Sequence, residues 1–308
     1  MLYKDTYQLK RLETKDLPAV KELFLKVFNK KVSLSYLKNK YGTSYLGLEY
    51  ICSIAYHDTT PIAFYGAIPQ KFSNNEKDIF VAHACDSYTL QAYQGQGLHY
   101  QLAKFAYEIM KQNAIKFVYA FHSENTYHST KKLDWKEYVH MQRFHVKVRT
   151  LPIAKVVNKL HLNSLYAPFF RKTAKTESVE KIHTAHKDTF RQRFDANFIT
   201  YKNSIKEHYF IESHGCILWV KVEAIMLVGL FYAPSAIALQ KAINKLKTKA
   251  FFLGITELLF QVHPESEMAI QLKSIVTPKE SWLVGYLSFD STIPLEDFIF
   301  TYADLDTY

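Results

Sequence analysis

The stretch Tyr93-Gln94-Gly95-Gln96-Gly97-Leu98-His99 lies between a strand-like run at residues 80–90 and a helical run at residues 98–112. Two glycines at a strand-to-helix junction let the backbone turn sharply and leave its N–H groups facing outward. A helix N-terminus offers such groups to an anion, so the stretch predicts a cradle for a pyrophosphate. Glycine pairs also close ordinary loops, and the chain beyond the helix decides between a cradle and a loop.

A second strand is expected at residues 115–121. It is followed by His122-Ser123-Glu124-Asn125-Thr126-Tyr127, a short helical stretch, and Lys132-Leu133-Asp134-Trp135. This order resembles the Gcn5-related N-acetyltransferase (GNAT) family. The family signature R/Q-x-x-G-x-G/A follows strand four and leads into a helix, a fifth strand, an Asn and a closing Gly-Phe. Gln94 and Gly97 match its first two fixed positions. His99 stands where the family has Gly or Ala, so its side chain must point away from the ligand, and Asp134-Trp135 stands for Gly-Phe. The resemblance covers residues 7–140.

Upstream, residues 7–12 read as a strand. Leu17, Val20, Leu23, Phe24, Val27 and Phe28 mark one face of a helix over residues 16–30, with Thr14 as a candidate N-cap. A shorter helix follows at residues 33–40, then strands at 50–56, 61–71 and 80–90. From residue 184 the order begins again without the glycine signature. A helix is expected at 186–201, strands at 208–212, 217–222 and 224–232, a helix at 235–249, a strand at 257–262, a helix at 266–275, and strands at 282–289 and 298–302. At the junction corresponding to the cradle the chain has Phe231-Tyr232-Ala233-Pro234-Ser235, with no glycine pair and a proline that has no N–H to donate. The expected fold class is therefore α/β, an α+β mixed sheet, with two acyl-CoA N-acyltransferase-like domains in tandem. These are residues 1–145 with the cofactor motif, a basic connector at 146–183, and a degenerate second domain at 184–308.

The 308 residues suffice for two ordinary domains, and 48% apolar with 15% aromatic content is that of a folded chain. No run reaches the roughly 18 apolar residues of a membrane span, and the start has neither basic head nor apolar core, so a cytoplasmic protein is expected. Cys52, Cys85 and Cys216 are too dispersed for a disulfide framework or a Cys-rich zinc site, and read as small buried apolar residues. The net charge of +10 is unevenly placed: residues 140–176 contain no Asp or Glu. Such a run suits cofactor phosphates, an anionic substrate or a lipid surface, and equally a solvated connector. Within it Ile153, Val156, Val157, Leu160 and Leu165 recur at helical spacing, which predicts an interdomain helix. The alternative is a basic amphipathic helix, so that 143–175 would make a peripheral membrane contact. Nucleic acid is disfavoured, since no zinc-finger, RRM or KH signature accompanies the charge.

The resemblance implies acetyl-CoA as co-substrate and no metal. Gln94, Gly95, Gln96, Gly97, Leu98 and His99 would receive the pyrophosphate. The backbone of Ser87, Tyr88 and Thr89 would bond the pantetheine arm where strands four and five part, and Asn125 would contact that arm. Acetyl transfer to an amine draws much of its acceleration from proximity, so acid and base groups help without being obligatory. Asp86 and His83, on the strand before the cradle, are the candidate bases, with Asp86 preferred. A regular strand turns them to opposite faces unless a bulge intervenes. In the bland alternative Asp86 bonds nearby backbone and His83 packs in the core. The family's general-acid Tyr comes about seven residues after the Asn, where Lys132 stands, so Tyr127 is the nearest phenol.

The leading function is acetyl transfer from acetyl-CoA to a primary amine of a small molecule, amino sugar or peptide. The alternatives are a Fem-like aminoacyl transferase, which also pairs two such domains, and a non-catalytic acyl-CoA-binding protein. Acceptor and oligomeric state stay open.

Overall fold

The computed structural model describes residues 7–74, 76–122, 124–184 and 189–308. In chain order the elements are β1 (Gln8–Arg11), α1 (Leu17–Phe28), α2 (Leu34–Tyr41), β2 (Ser53–His57), β3 (Thr60–Ser73), β4 (Asp78–Thr89), α3 (Leu98–Gln112), β5 (Phe117–His122), α4 (Glu124–Lys131) and β6 (Lys136–Lys147). There follow α5 (Ile153–Lys159), α6 (Thr176–Thr184), β7 (Arg191–Gln192), α7 (Ala196–Ile205), β8 (Tyr209–Ser213), β9 (Cys216–Val222) and β10 (Met226–Tyr232). The last are α8 (Ala236–Phe252), β11 (Glu257–Val262), α9 (Glu267–Lys273) and β12 (Lys279–Ser288).

The first compact unit gathers the described residues through Phe72, with Asp78–Tyr138 and Val284–Pro294. Its strands are ordered β1-β2-β3-β4-β5, and the part of β12 from Val284 lies beside β5. β1 and β2, like β2 and β3, pair antiparallel, whereas β4 and β5 are parallel, as the crossover through α3 permits. α3 is amphipathic: Leu98, Leu102, Ala103, Ala106, Tyr107 and Met110 are buried against Ala55, Ile62, Ala63, Ala82 and Val118. Burying Leu102 alone is worth about 1.5–3 kcal/mol. Small alanines on both sides let helix and sheet approach, and Ser53 Oγ donates to Leu102 O at 2.8 Å.

The second unit holds Val139–Leu283 and Leu295–Tyr308, with Ser73–Lys77. Its strand order is β6-β11-β10-β9-β8, with the part of β12 before Val284 beside β6. β10 and β11 are parallel, and the β6–β11, β9–β10 and β8–β9 pairs are antiparallel. Its core joins Phe144, Leu218, Val228, Leu239, Ile243, Leu258 and Phe260.

These units cut the chain differently from the expected boundaries at residues 145 and 183. Strand pairing is long-range, and local pattern does not show that Val284–Pro294 returns to the first unit, where Phe289 N donates to Lys116 O at 2.8 Å. Nor does residue 146–183 stand apart as a connector, because Ala154, Tyr166 and Phe170 are buried in the core of the second unit. The predicted amphipathic helix there is only α5, and its expected buried positions Val156 and Leu160 are exposed.

Other differences have local causes. β6 was not expected, since its basic residues read as a charge run. In the structure Arg143 Nε donates to Gln261 Oε1 at 3.0 Å, while His145 and Lys147 both pair with Glu257. Part of the basic run is thus neutralised in the sheet. Residues 298–302 form no strand, only isolated bridges such as Val262↔Thr301. Thr14 does not cap α1; Glu13 and Asp16 form a capping box on the 3-10 turn before it. Cys52 and Cys216 are buried as expected, whereas Cys85 is half-buried. Burial pushes the Cys52 thiol up to about 12.

Candidate functional site

β4 and β5 are in register at Ala82↔Val118 and His83↔Tyr119, and no pairing of the two follows beyond His83 among the described residues. The later part of β4 therefore keeps an open edge toward the cradle. There a 3-10 turn, Gln91–Tyr93, closes with Tyr93 N donating to Leu90 O at 2.9 Å. Gly95 and Gly97 follow with φ of +77° and +76°. Both need glycine because an L side chain in this left-handed region costs roughly 1–2 kcal/mol. Gly97 is also the N-cap of α3, whose first intrahelical bond runs from Gln101 N to Gly97 O at 3.1 Å. The N–H groups ahead of Gln101 form the open end of a fifteen-residue helix. A Cβ on Gly95 would meet nothing within 4 Å, and one on Gly97 only Gln101 Nε2 at 4.0 Å. The glycines thus face open space, not packed chain.

That space is a groove of about 810 Å³ lined by Ser87, Tyr88, Thr89, Gln94, Gly95, Gly97, Leu98 and His99. Gln94 Nε2 donates to Thr89 O at 3.2 Å, tying the signature Gln back to the end of β4. Gln96 does not line the groove; its Oε1 accepts from the Tyr7 hydroxyl and its Nε2 donates to Ala92 O. His99, the departure from the signature, packs its ring against Tyr65 with centroids 5.7 Å apart, and burial lowers its pKa. It borders the groove as a neutral ring held from below. The other departure is accommodated equally simply. Asp134 has φ +62°, the conformation for which glycine would serve, and Asp is among the few residues that tolerate it. Trp135 is buried, its Nε1 donating to Tyr107 Oη at 2.8 Å.

The Tyr88 ring packs against Phe24, Phe28 and Phe64, but its buried hydroxyl has no hydrogen-bond partner among the described residues. Burial, with Asp86 nearby, drives its pKa far up, so it is a neutral donor at the groove wall. An orphaned donor, a glycine cradle and an open helix end are the features that a thioester-linked pantetheine diphosphate would engage, and the residues present fit that group.

The three candidate catalytic residues are placed elsewhere. Asp86 is 2.6 Å from the Nζ of buried Lys40 and accepts from the Tyr41 hydroxyl. His83 is buried, stacked on Tyr119 with centroids 5.1 Å apart. Tyr127 lies edge-on to His122, and burial followed by its bond to Glu137 pushes its phenol up to about 12. None of the three lines the groove. Asn125 falls in α4, but its side chain lies outside the described residues. Sequence reasoning missed Val27, Phe28, Tyr100, His128, Ser129 and Lys132, which with Tyr93 complete the lining. The signal for Lys132 was available: it occupies the place of the expected Tyr, and it supplies a cation to the groove.

In the second unit the corresponding junction is closed. β10 and β11 pair through Val228↔Phe260, after which Thr301 bridges Val262. Gly229 N donates to Tyr308 Oη at 2.7 Å, and a Cβ there would lie 2.2 Å from the Tyr308 ring. Gln271 Nε2 donates to Ala233 O at 3.1 Å, and the cleft beside Pro234 has only about 160 Å³.

Comparison with solved structures agrees with this architecture. A GCN5-related N-acetyltransferase from Kribbella flavida matches with a TM-score of 0.63 at 11% identity, over 92% of this chain and 71% of that one. The chain has the GNAT fold. A putative acetyltransferase from Pyrococcus horikoshii shares it at TM-score 0.53 and 15% identity, over 98% and 95% of the two chains. Saccharomyces cerevisiae N-myristoyltransferase, solved with bound myristoyl-CoA, matches at TM-score 0.56 and 11% identity, over 94% and 84%. No family model matches the sequence, and no curated protein does. The GNAT fold of this chain is thus carried by element order and geometry at identities too low to transmit residue roles.

Proposed function

We propose that this protein is an acyl-CoA-dependent N-acyltransferase that moves an acetyl group from acetyl-CoA to a primary amine of a small molecule, amino sugar or peptide. The observation that carries the reading is the left-handed Gly95/Gly97 turn opening into a large groove at the N-terminus of α3. The GNAT-fold neighbours named as acetyl- and myristoyltransferases support acyl-CoA as the donor class. Acyl transfer by proximity needs the thioester held beside a neutral amine, and the groove supplies the holding. Among the described residues the cradle belongs to the first unit, so one donor is expected to bind per chain. Titration of acetyl-CoA by calorimetry, followed by thiol release with a panel of amines, tests the reading; absence of acetyl-CoA binding to folded protein removes it.

A second reading, a non-catalytic acyl-CoA-binding protein, is favoured by one observation: none of Asp86, His83 or Tyr127 lines the groove. Tight acetyl-CoA binding without amine-dependent thiol release would select it. The Fem-like alternative gains nothing from the structure, and His145 and Lys147 of the basic run are engaged with Glu257.

A further inference from the structure

In the second unit two chain segments without a carboxylate pack together. Residues 140–176 and 233–256 contain no Asp or Glu. Thr150 Oγ1 donates to Phe251 O at 2.7 Å, Ala154 N to Gly254 O at 3.0 Å, and Tyr166 Oη to Leu253 O at 3.2 Å. The approach is close enough that a Cβ on Gly254 would lie 2.4 Å from Ile153. The α5 region and the C-terminal end of α8 therefore form one fixed surface.

That surface is apolar and exposed. Leu151 is 73% exposed, Leu160 60% and Phe252 76%, and Val156, Leu165 and Phe169 are open as well. Isolated exposed apolar residues are ordinary, but a cluster of them is not. The same two segments carry the exposed cations Arg149, Lys155, Lys159, Arg171, Lys245 and Lys249. Lys249 Nζ donates to Phe169 O and sits 4.3 Å from the centroid of the Phe170 ring. Beside it runs a groove of about 490 Å³, bordered by Phe169, Arg171, Lys245 and Lys249, with Glu212 also on its wall. Arg143, His145 and Lys147, by contrast, are engaged with Gln261 and Glu257 of the neighbouring strand.

We propose that this face docks on an anionic lipid surface. The leucines, Val156 and the phenylalanines would enter the boundary between headgroups and acyl chains, and the cations, with the groove beside Lys249, would take lipid phosphates. Exposed apolar side chains interspersed with Lys and Arg on segments that carry no Asp or Glu are what an anionic bilayer binds, and Glu212 on the groove wall is outnumbered there by Arg171, Lys245 and Lys249. Among the described residues no helix is long and apolar enough to cross a membrane, so the contact is with one face of the bilayer. A second copy of the chain is a poorer occupant, because a two-fold contact would set like charges against like. This surface goes beyond acyl transfer and does not depend on it.

The test is co-sedimentation of the whole chain with vesicles of phosphatidylcholine alone or mixed with about a third phosphatidylglycerol. Binding is expected with the mixed vesicles only, and it weakens as salt is raised. Leu160→Ser with Phe252→Ser, both changes on exposed side chains, and separately Lys155→Gln with Lys159→Gln and Lys245→Gln, should each lower partitioning about tenfold or more with melting unchanged. No binding to mixed vesicles at low salt overturns the proposal, as does binding that neither variant weakens. A concentration-dependent dimer that the Leu160/Phe252 variant dissociates, with no vesicle binding, overturns it in favour of an interface between copies.

Discussion

Lys40 Nζ lies 2.6 Å from Asp86 Oδ2, joining the buried face of α2 to β4 across 46 positions of sequence. Lys40 is 2% exposed, so its ammonium is held in the protein interior by this carboxylate. Removing one member of a buried pair costs about 3–5 kcal/mol, because the other charge stays desolvated. Asp86→Asn should therefore lower stability by about that amount, and Lys40→Met by less, since Asp86 is partly exposed. The double variant should lose less than the sum of the two. Denaturant melts on the four proteins measure the coupling, and strict additivity would show that the pair is not an energetic unit. If the double variant folds and retains turnover, Asp86 is structural; if turnover alone is lost, it is the base.

Gly97→Val adds a side chain at φ +76° where the backbone must approach a phosphate. The new Cβ meets no packed chain, so folding suffers only the roughly 1–2 kcal/mol of left-handed strain. Acetyl-CoA affinity should fall at least tenfold, about 1.4 kcal/mol. Calorimetry on the folded variant decides, and unchanged affinity would remove the cradle.

The Tyr88 hydroxyl is a buried donor without a protein partner among the described residues, so Tyr88→Phe relieves a desolvation cost of about 1–3 kcal/mol in the free protein. The variant should melt higher yet bind acetyl-CoA several-fold more weakly. A hydroxyl with no role in binding would instead leave affinity untouched while the melting point rises.

Local signals in the sequence were enough for some of this and not for the rest. α3 spans the predicted residues 98–112, since a glycine N-cap and an apolar stripe are local signals. The left-handed Asp134 was readable as a glycine substitute for the same reason. Lys40 gave no signal: a lysine on a short helix reads as solvent-exposed until the carboxylate 46 positions away is placed beside it. His128 and Ser129 were hidden in the same way, because α4 meets the groove only after β5 has been laid beside β4. Leu160, read as a buried contact, is 60% exposed; spacing identifies a helical face but not what covers it.

One acetyl-CoA should bind per chain. In the second unit the Tyr308 hydroxyl donates to Trp219 O at 2.8 Å and accepts from Gly229 N, filling the bulge between Val228 and Leu230. Tyr308→Ala should destabilise the protein by about 3–5 kcal/mol, as loss of a buried aromatic does, without raising the calorimetric stoichiometry above one. A second binding event in either protein would refute the single-site reading.

Acid should destabilise this protein through buried histidines at pH values above the ordinary carboxylate range. Burial lowers His122 from 6.5 to about 4, and burial, with Arg191 adding to it, lowers His263 to about 4 as well. Between pH 6.5 and 4 the unfolded chain takes up protons at these positions and the folded chain does not, so stability falls as pH falls through that window. Asp304 acts in the opposite direction, burial raising it from 3.8 to about 6, so that the folded state holds the extra proton and one of the two histidines is partly offset. For His122 the loss between pH 7 and 5 is ~2 kcal/mol. The ring also fits against Gly285, where a Cβ would lie 2.7 Å from it, so His122→Gln will cost packing at every pH. The slope, not the absolute stability, carries the test: urea melts at pH 7 and pH 5 should show a smaller drop in the variant by about that amount, and parallel drops would place the acid sensitivity elsewhere.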